Sequence, residues 1–247
     1  MNLIFDTHAH YDDEAFDADR EALLASMPEN GVGLIVDLGC DLDTSRRAVE
    51  IAEQYPHVYA AVGWHPENCA PYTEDSLDAL RAWAREPKVV AIGEIGLDYH
   101  FPDNPPRELQ RELFVRQLRL ADELGLPVVV HSRDGAAETL ELLQSEAERL
   151  RFGGLMHCYS YSAEMVGAFA ALGMYFSFGG TSTFRNAKKV QESARRVPSD
   201  RILSETDSPY LTPVPFRGVF PNEPGNVVHV VRNLAALRNE KEEELEG

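Results

Sequence analysis

The sequence predicts an α/β protein of the (β/α)8 TIM-barrel class, a single domain over residues 1–247, and three observations carry that expectation. Short apolar runs alternate with longer amphipathic stretches along the whole chain, there are eight of each, and the polar residues able to do chemistry fall where the short runs end. Such alternation calls for parallel strands joined by crossover helices. Eight units in about 250 residues is the size of a closed barrel with its active site at the C-terminal strand ends. A doubly wound open sheet usually places a glycine-rich phosphate loop after its first strand, whereas here that strand ends in His8-Ala9-His10. No solenoid-length repeat, low-complexity segment or linker divides the chain.

In chain order, strands are predicted at residues 2–8, 32–39, 57–63, 88–94, 126–131, 152–157, 173–178 and 201–206. Each is rich in Val, Ile, Leu or aromatics and bounded by Gly, Pro, Asp or Asn. Helices are predicted at 14–27, 44–55, 74–85, 106–124, 135–148, 163–172, 184–196 and 226–238, the third capped by Thr73 and the fourth begun by Pro105-Pro106. The stretch from Ser208 to Asn226 holds five of the fifteen prolines and no period, which predicts a loop at the barrel mouth.

Composition narrows the function classes. A hydrophobic share of 44% is ordinary for a globular protein with a substantial core. No basic segment precedes an apolar one at the N-terminus, and runs such as Val128-Val129-Val130 are too short to cross a bilayer, so a soluble cytoplasmic protein is expected, with no membrane partner. Three widely spaced cysteines, Cys40, Cys69 and Cys158, indicate neither a disulfide framework nor a cysteine zinc site. The net charge of -18 argues against a broad basic surface for nucleic acid, so a phosphate substrate would be held locally by metal ions and a few arginines. The Glu-rich tail Glu240–Glu246 is assigned no function.

The polar residues at the strand ends form a pattern. Strand 1 offers His8 and His10, which leave one face together because strand side chains alternate with period two. Strand 3 offers His65, strand 4 Glu94, strand 5 His131, strand 6 His157 and strand 8 Asp207. Any one of these histidines taken alone reads better as a satisfied core position than as a ligand, but seven polar groups at one barrel end point to a metal site. The imidazoles and carboxylates exceed what one catalytic zinc takes and suffice for two divalent cations sharing a carboxylate, with Glu94 on a middle strand the natural bridge. Nitrogen and oxygen donors fit Zn, Mg, Mn, Co or Fe without choosing among them.

The segments Phe5–His10, Gly63-Trp64-His65-Pro66, Gly93–Tyr99, Pro127–Asp134, His157-Cys158-Tyr159-Ser160 and Glu205–Leu211 together resemble the TatD family of metal-dependent deoxyribonucleases, within the amidohydrolase superfamily. The resemblance implies a two-metal barrel that hydrolyses phosphodiester bonds of DNA as a 3'-5' exonuclease. By motif, His8, His10 and Asp207 would hold one ion, His131 and His157 the other, and Glu94 both. His65 would face the scissile phosphate; a histidine followed by Pro66 is held in a turn, ready to donate to an anionic oxygen. Asp207, Glu94 and His65 are thus the expected catalytic residues, with Asp207 taking the proton of the attacking water, and His65, Arg133 and Arg217 the expected substrate contacts. Trp64 or Phe184 would stack on terminal bases.

The substrate expected is a DNA end, with RNA or an aminoacyl-tRNA as the alternative; in the latter case the same site would act as an esterase or amidohydrolase, such as a D-aminoacyl-tRNA deacylase. A non-catalytic module with structural metals fits poorly, because structural sites are closed by four ligands and need no open rim. The sequence departs from the family pattern at three places. Tyr161 stands where glycine is usual, Val219 replaces a basic residue in Arg217–Pro224, and a Glu-rich tail stands where a last closing helix is usual. That helix is therefore expected to be shortened or missing, leaving the base of strand 1 exposed.

Overall fold

The computed structural model describes residues 3–245, so Asn2 of the first predicted strand and Glu246 of the tail lie outside the described residues. Its eight strands are β1 (Ile4–Ala9), β2 (Val32–Leu38), β3 (Val58–Val62), β4 (Val89–Asp98), β5 (Val128–Arg133), β6 (Gly154–Met156), β7 (Met174–Phe178) and β8 (Ile202–Ser204). They form one sheet in chain order, every neighbouring pair parallel. The crossovers carry α1 (Arg20–Ser26), α2 (Leu42–Gln54), α3 (Glu74–Trp83), α4 (Arg107–Leu124), α5 (Ala136–Ser145), α6 (Ala163–Ala170) and α7 (Lys188–Arg196), and α8 (Val227–Arg238) follows β8. This is the (β/α)8 barrel the alternation predicts.

The seam between β8 and β1 is closed largely by side chains. Thr7 donates to the Ser204 carbonyl at 2.9 Å and Ser204 to the Phe5 carbonyl at 3.1 Å. The fully buried Asp6 carboxylate accepts from the Thr206 amide at 2.8 Å and its hydroxyl at 2.6 Å. Beyond it, the Asp207 amide donates to the His8 carbonyl at 2.9 Å and the His10 amide to the Ser208 carbonyl at 2.7 Å. The seam thereby fixes the His8–His10 segment directly beside Asp207.

Inside the barrel, Val36 and Leu38, Ala61, Ala91, Val129 and Leu155 form a layer of their own, with Phe5, Tyr59 and Leu203 packed against it. The period-two pleat carries this inward face upward to Cys40, Gly63 and His65, His131, His157, and Glu205 and Asp207. Gly63 is obligatory here, since a Cβ would stand 2.6 Å from the Gly93 carbonyl carbon. The larger core lies between the strands and the helices, where Phe114, Phe169, Val230 and Leu234 are buried.

Three elements depart from expectation. The predicted helix 14–27 is a 3-10 turn at Glu14–Phe16 followed by the short α1; Arg20 reaches back to the carbonyls of Tyr11 and Asp13 and pins the intervening chain in a turn. β4 continues four residues past Glu94, so Glu94 lies within a strand rather than at its end. Gly96 permits this: its φ is 144°, and a Cβ would lie 1.9 Å from the His131 carbonyl oxygen. The helix predicted from residue 184 begins at Lys188, after a 3-10 turn over Gly180–Thr183. Following α8, the described chain makes only a 3-10 turn at Glu242–Glu244. Among the described residues, exposure at the base of β1 is confined to Leu3, because Ile4 is buried and α8 packs against both β1 and β8.

Candidate metal centre

The two oxygens of Glu94 face two different groups of side chains. Oε2 lies 3.3 Å from His8 Nε2 and 3.5 Å from His10 Nε2. These two nitrogens are 3.2 Å apart, and each is 3.7 Å from Asp207 Oδ1. Oε1 lies 2.8 Å from His131 Nδ1, 3.0 Å from His157 Nε2 and 3.5 Å from His65 Nε2. Donors bound at about 2.0–2.2 Å to one tetrahedral cation stand roughly 3.3 Å apart, so both groups have the spacing of a coordination shell. All seven residues singled out at the strand ends meet here.

The second nitrogen shows how three of the five rings are held, while His8 Nδ1 and His157 Nδ1 are buried without a hydrogen-bond partner among the described residues. His10 Nδ1 is 2.9 Å from the Leu38 carbonyl oxygen, which can only accept, so Nδ1 carries the proton and Nε2 keeps its lone pair. His131 Nε2 is 2.9 Å from Asp98 Oδ2, leaving Nδ1 free toward Glu94. His157 Nδ1 lies 3.7 Å from Glu205 Oε2, leaving Nε2 free. His65 is opposite: its Nδ1 accepts from the Glu67 amide at 3.2 Å, so a neutral ring carries its proton on Nε2 and presents a donor to the site.

Burial and charge set the protonation states. Burial opposes ionisation of Glu94, yet His157, His65 and His8 hold its carboxyl well below the usual range. His8 is pushed down to about 4 by burial and by His157, and burial also lowers His10. His131 and His157 are raised despite burial, the first by hydrogen bonds to Asp98 and Glu94, the second by the charges of Glu94 and Glu205. Burial pushes Asp207 up to about 8. Two neutral imidazoles, two imidazoles sharing protons with a carboxylate, and convergent lone pairs form a donor set that a divalent cation fits, its charge replacing those protons.

Several participants carried no distinctive sequence signal. Asp98 holds His131 and Glu205 places its charge beside His157, and Glu205 is itself fixed by the Cys158 amide at 2.8 Å and by Ser177. On α4, Gln110 clamps the end of β4 through the Asp98 amide and carbonyl, both at 2.9 Å. Gln117, seven residues on and so on the same helix face, clamps the Trp64 amide at 2.8 Å and carbonyl at 3.0 Å, beside His65. Two glutamines at that spacing on an otherwise apolar face were the available clue. Cys40 lies 3.9 Å from Glu94 Oε2.

The outer contacts are arranged differently from expectation. Arg133 and Arg217 are exposed at the site end of the barrel, Arg133 at 5.0 Å over the Phe101 ring and Arg217 at 3.9 Å over Phe184. Trp64 is only 4% exposed, with its indole N–H given to the Asn68 carbonyl, so it offers no stacking face; Phe184 is covered by Arg217. Tyr161 ties the loop after β6 to β5, its hydroxyl 2.9 Å from Ser132 Oγ.

A barrel with this donor set at its mouth defines a metal-dependent hydrolase. The chain belongs to the TatD family, for the profile of TatD related DNases matches residues 5–247. YabD of Bacillus subtilis, known as an uncharacterized metal-dependent hydrolase, is 42% identical over 98% of this chain and 94% of its own. The 3'-5' ssDNA/RNA exonuclease TatD of Escherichia fergusonii is 32% identical over 96% of this chain and 92% of its own. The crystal structure of YjjV, a TatD homolog from Escherichia coli, superposes with a TM-score of 0.91 at 35% identity, covering 98% of this chain and 92% of that one.

Proposed function

We propose that the chain is a single-domain, two-metal nuclease of the cytoplasm that removes nucleotides from the 3' end of DNA. One observation carries this: the division of the two Glu94 oxygens between two sets of nitrogen donors. His8, His10 and Asp207 would hold one divalent cation, His131 and His157 the other, and Glu94 both. When bound, such cations neutralise phosphoryl oxygen charge and make a water acidic enough to attack at neutral pH.

The protein's own groups do the rest. The Asp207 carboxylate stands at the edge of the site, where it can accept the proton of the attacking water. His65 Nε2–H donates to a phosphoryl oxygen that gains charge as the bond to the leaving oxygen breaks. Arg133 and Arg217 reach phosphates outside the centre. A 3'-5' exonuclease among the relatives supports this substrate class, and no helix among the described residues is long and apolar enough to cross a membrane. Incubation of metal-loaded protein with end-labelled single- and double-stranded DNA, RNA and an aminoacyl ester tests the proposal. Stepwise shortening of DNA from the 3' end is expected; hydrolysis of the ester with all nucleic acids intact would overturn it.

A further inference from the structure

Basic charge on the site face of the barrel is concentrated on one side, with Arg133 at the end of β5 standing apart from it. Between strand and helix the connections that follow β1 to β6 contain no lysine or arginine, only Arg20 and Arg107 standing at the first positions of α1 and α4. The first connection alone carries Asp12, Asp13, Glu14, Asp17 and Asp19. The two remaining connections are different. From Ser177 to Gln191, a stretch that runs into the first turn of α7, the chain has no acidic residue and carries Arg185, Lys188 and Lys189; from Ser208 to Asn222 it again has none and carries Arg217. All four cations are exposed, and none forms an ion pair among the described residues, whereas Arg81, Arg116 and Arg119 on the outer helices are all paired. In a chain of net charge -18 four unpaired cations side by side are not background.

The same side carries exposed rings. Tyr210, Phe216 and Phe220 are 48%, 45% and 63% exposed. They stand on a firm base: the buried Asn222 donates to the carbonyls of Thr206 at 3.0 Å and Tyr210 at 2.8 Å. The two connections are joined by Arg217 over Phe184 and by the Val214 amide donating to Thr183 Oγ1 at 2.9 Å. Cations with interleaved, solvent-facing aromatic rings are what a single-stranded polynucleotide recognises, its phosphates tracking the charge and its unpaired bases stacking on the rings.

We propose that the connections after β7 and β8 seat the strand that runs away from the cut end, with phosphates along Arg185, Lys188, Lys189 and Arg217 and bases on Phe216 and Phe220. The proposal rests on the nuclease reading and adds to it a path for the strand across the rim. A duplex keeps its base faces stacked inside and cannot use the rings. The acidic connections after β1 to β4 repel a polyanion from the opposite side.

The test compares metal-loaded wild-type protein with the variants R185E/K188E/K189E and F216A/F220A. Substrates are a single-stranded oligodeoxynucleotide, the same sequence as a duplex, and bis(p-nitrophenyl) phosphate, which is too small to reach the rim. Charge reversal should lower kcat/KM on the oligonucleotide by about tenfold or more relative to the small diester, through KM. F216A/F220A should erase the preference for single over double strands. Equal losses on polymer and small diester, or none on either, would overturn the proposed seat while leaving the nuclease reading intact. A wild-type enzyme that leaves the oligonucleotide whole overturns the nuclease reading, and the seat with it, before any variant is measured.

Discussion

Three imidazoles at the barrel mouth, His10, His65 and His131, have one nitrogen committed to the protein, and which one is committed decides what the ring can do. The carbonyl of Leu38 and the carboxylate of Asp98 turn His10 and His131 into lone-pair donors, while the amide of Glu67 turns His65 into a proton donor. Two outcomes follow. Glu94→Gln removes the anion that both donor groups share, so metal content measured by elemental analysis should fall together with hydrolysis, the latter by about a thousandfold or more. His65→Ala should leave metal content intact and cut turnover by roughly a hundredfold; equal loss of both would move His65 among the ligands. The strand-end residues were legible because apolar runs stop abruptly at them. Asp98 and Glu205 were not, since nothing distinguishes a buried orienting carboxylate among 41 acidic side chains. Trp64 was misplaced for a simple geometric reason: neighbours along an extended chain point to opposite faces, so the ring beside an inward His65 turns into the packing.

The elements were legible in number, order and type because the periods of 2 and 3.6 are imposed by burial, and burial is one-sided for every helix of a barrel. Their ends were less so. The length of β4 depends on Gly96 lying against the His131 carbonyl, and the break before α1 on Arg20 folding back, both contacts between segments that no local pattern encodes. Helix-to-helix anchoring is similarly non-local. Glu146, just past α5, receives Arg119 of α4 at 2.8 Å and Arg149 at 2.9 Å, and the hydrogen bond from Arg119 holds its carboxyl below the ordinary 4.5. A carboxyl lowered in the folded state adds stability above its unfolded value and loses it as pH falls through the folded one. Glu146→Gln should therefore be less stable than wild type at pH 7 by about 1 kcal/mol. Thermal unfolding of the two proteins should converge as pH falls through the lowered value of the folded carboxyl; a difference that persists in acid would mean that packing, not charge, holds this junction.

At the scale of the whole molecule, an acidic protein must hold an acidic polymer, and the resolution lies in where the 23 basic side chains stand. Most exposed arginines on the outer helices are spent on neighbouring carboxylates, as Arg81 on Asp78 and Glu123. At the mouth, Arg133 and the four cations after β7 and β8 form no ion pair among the described residues. A groove that tracked a long strand would release one counterion set per phosphate met, and its binding constant would fall steeply with salt. Here few phosphates can meet a cation at once, and the remaining surface repels the polymer over a Debye length of about 10 Å at 0.1 M salt. Binding of a single-stranded oligonucleotide to the metal-loaded Glu94-intact, His65→Ala protein should therefore follow salt with a slope equivalent to about two or three phosphates rather than six or more. It should also require an end, because the centre is sunk below the rim, with His8 fully buried and Glu94 only 3% exposed. Fluorescence anisotropy across a salt series decides the matter; a steep slope, or tight binding to a circular strand, would mean that a continuous groove and not the barrel mouth captures the substrate.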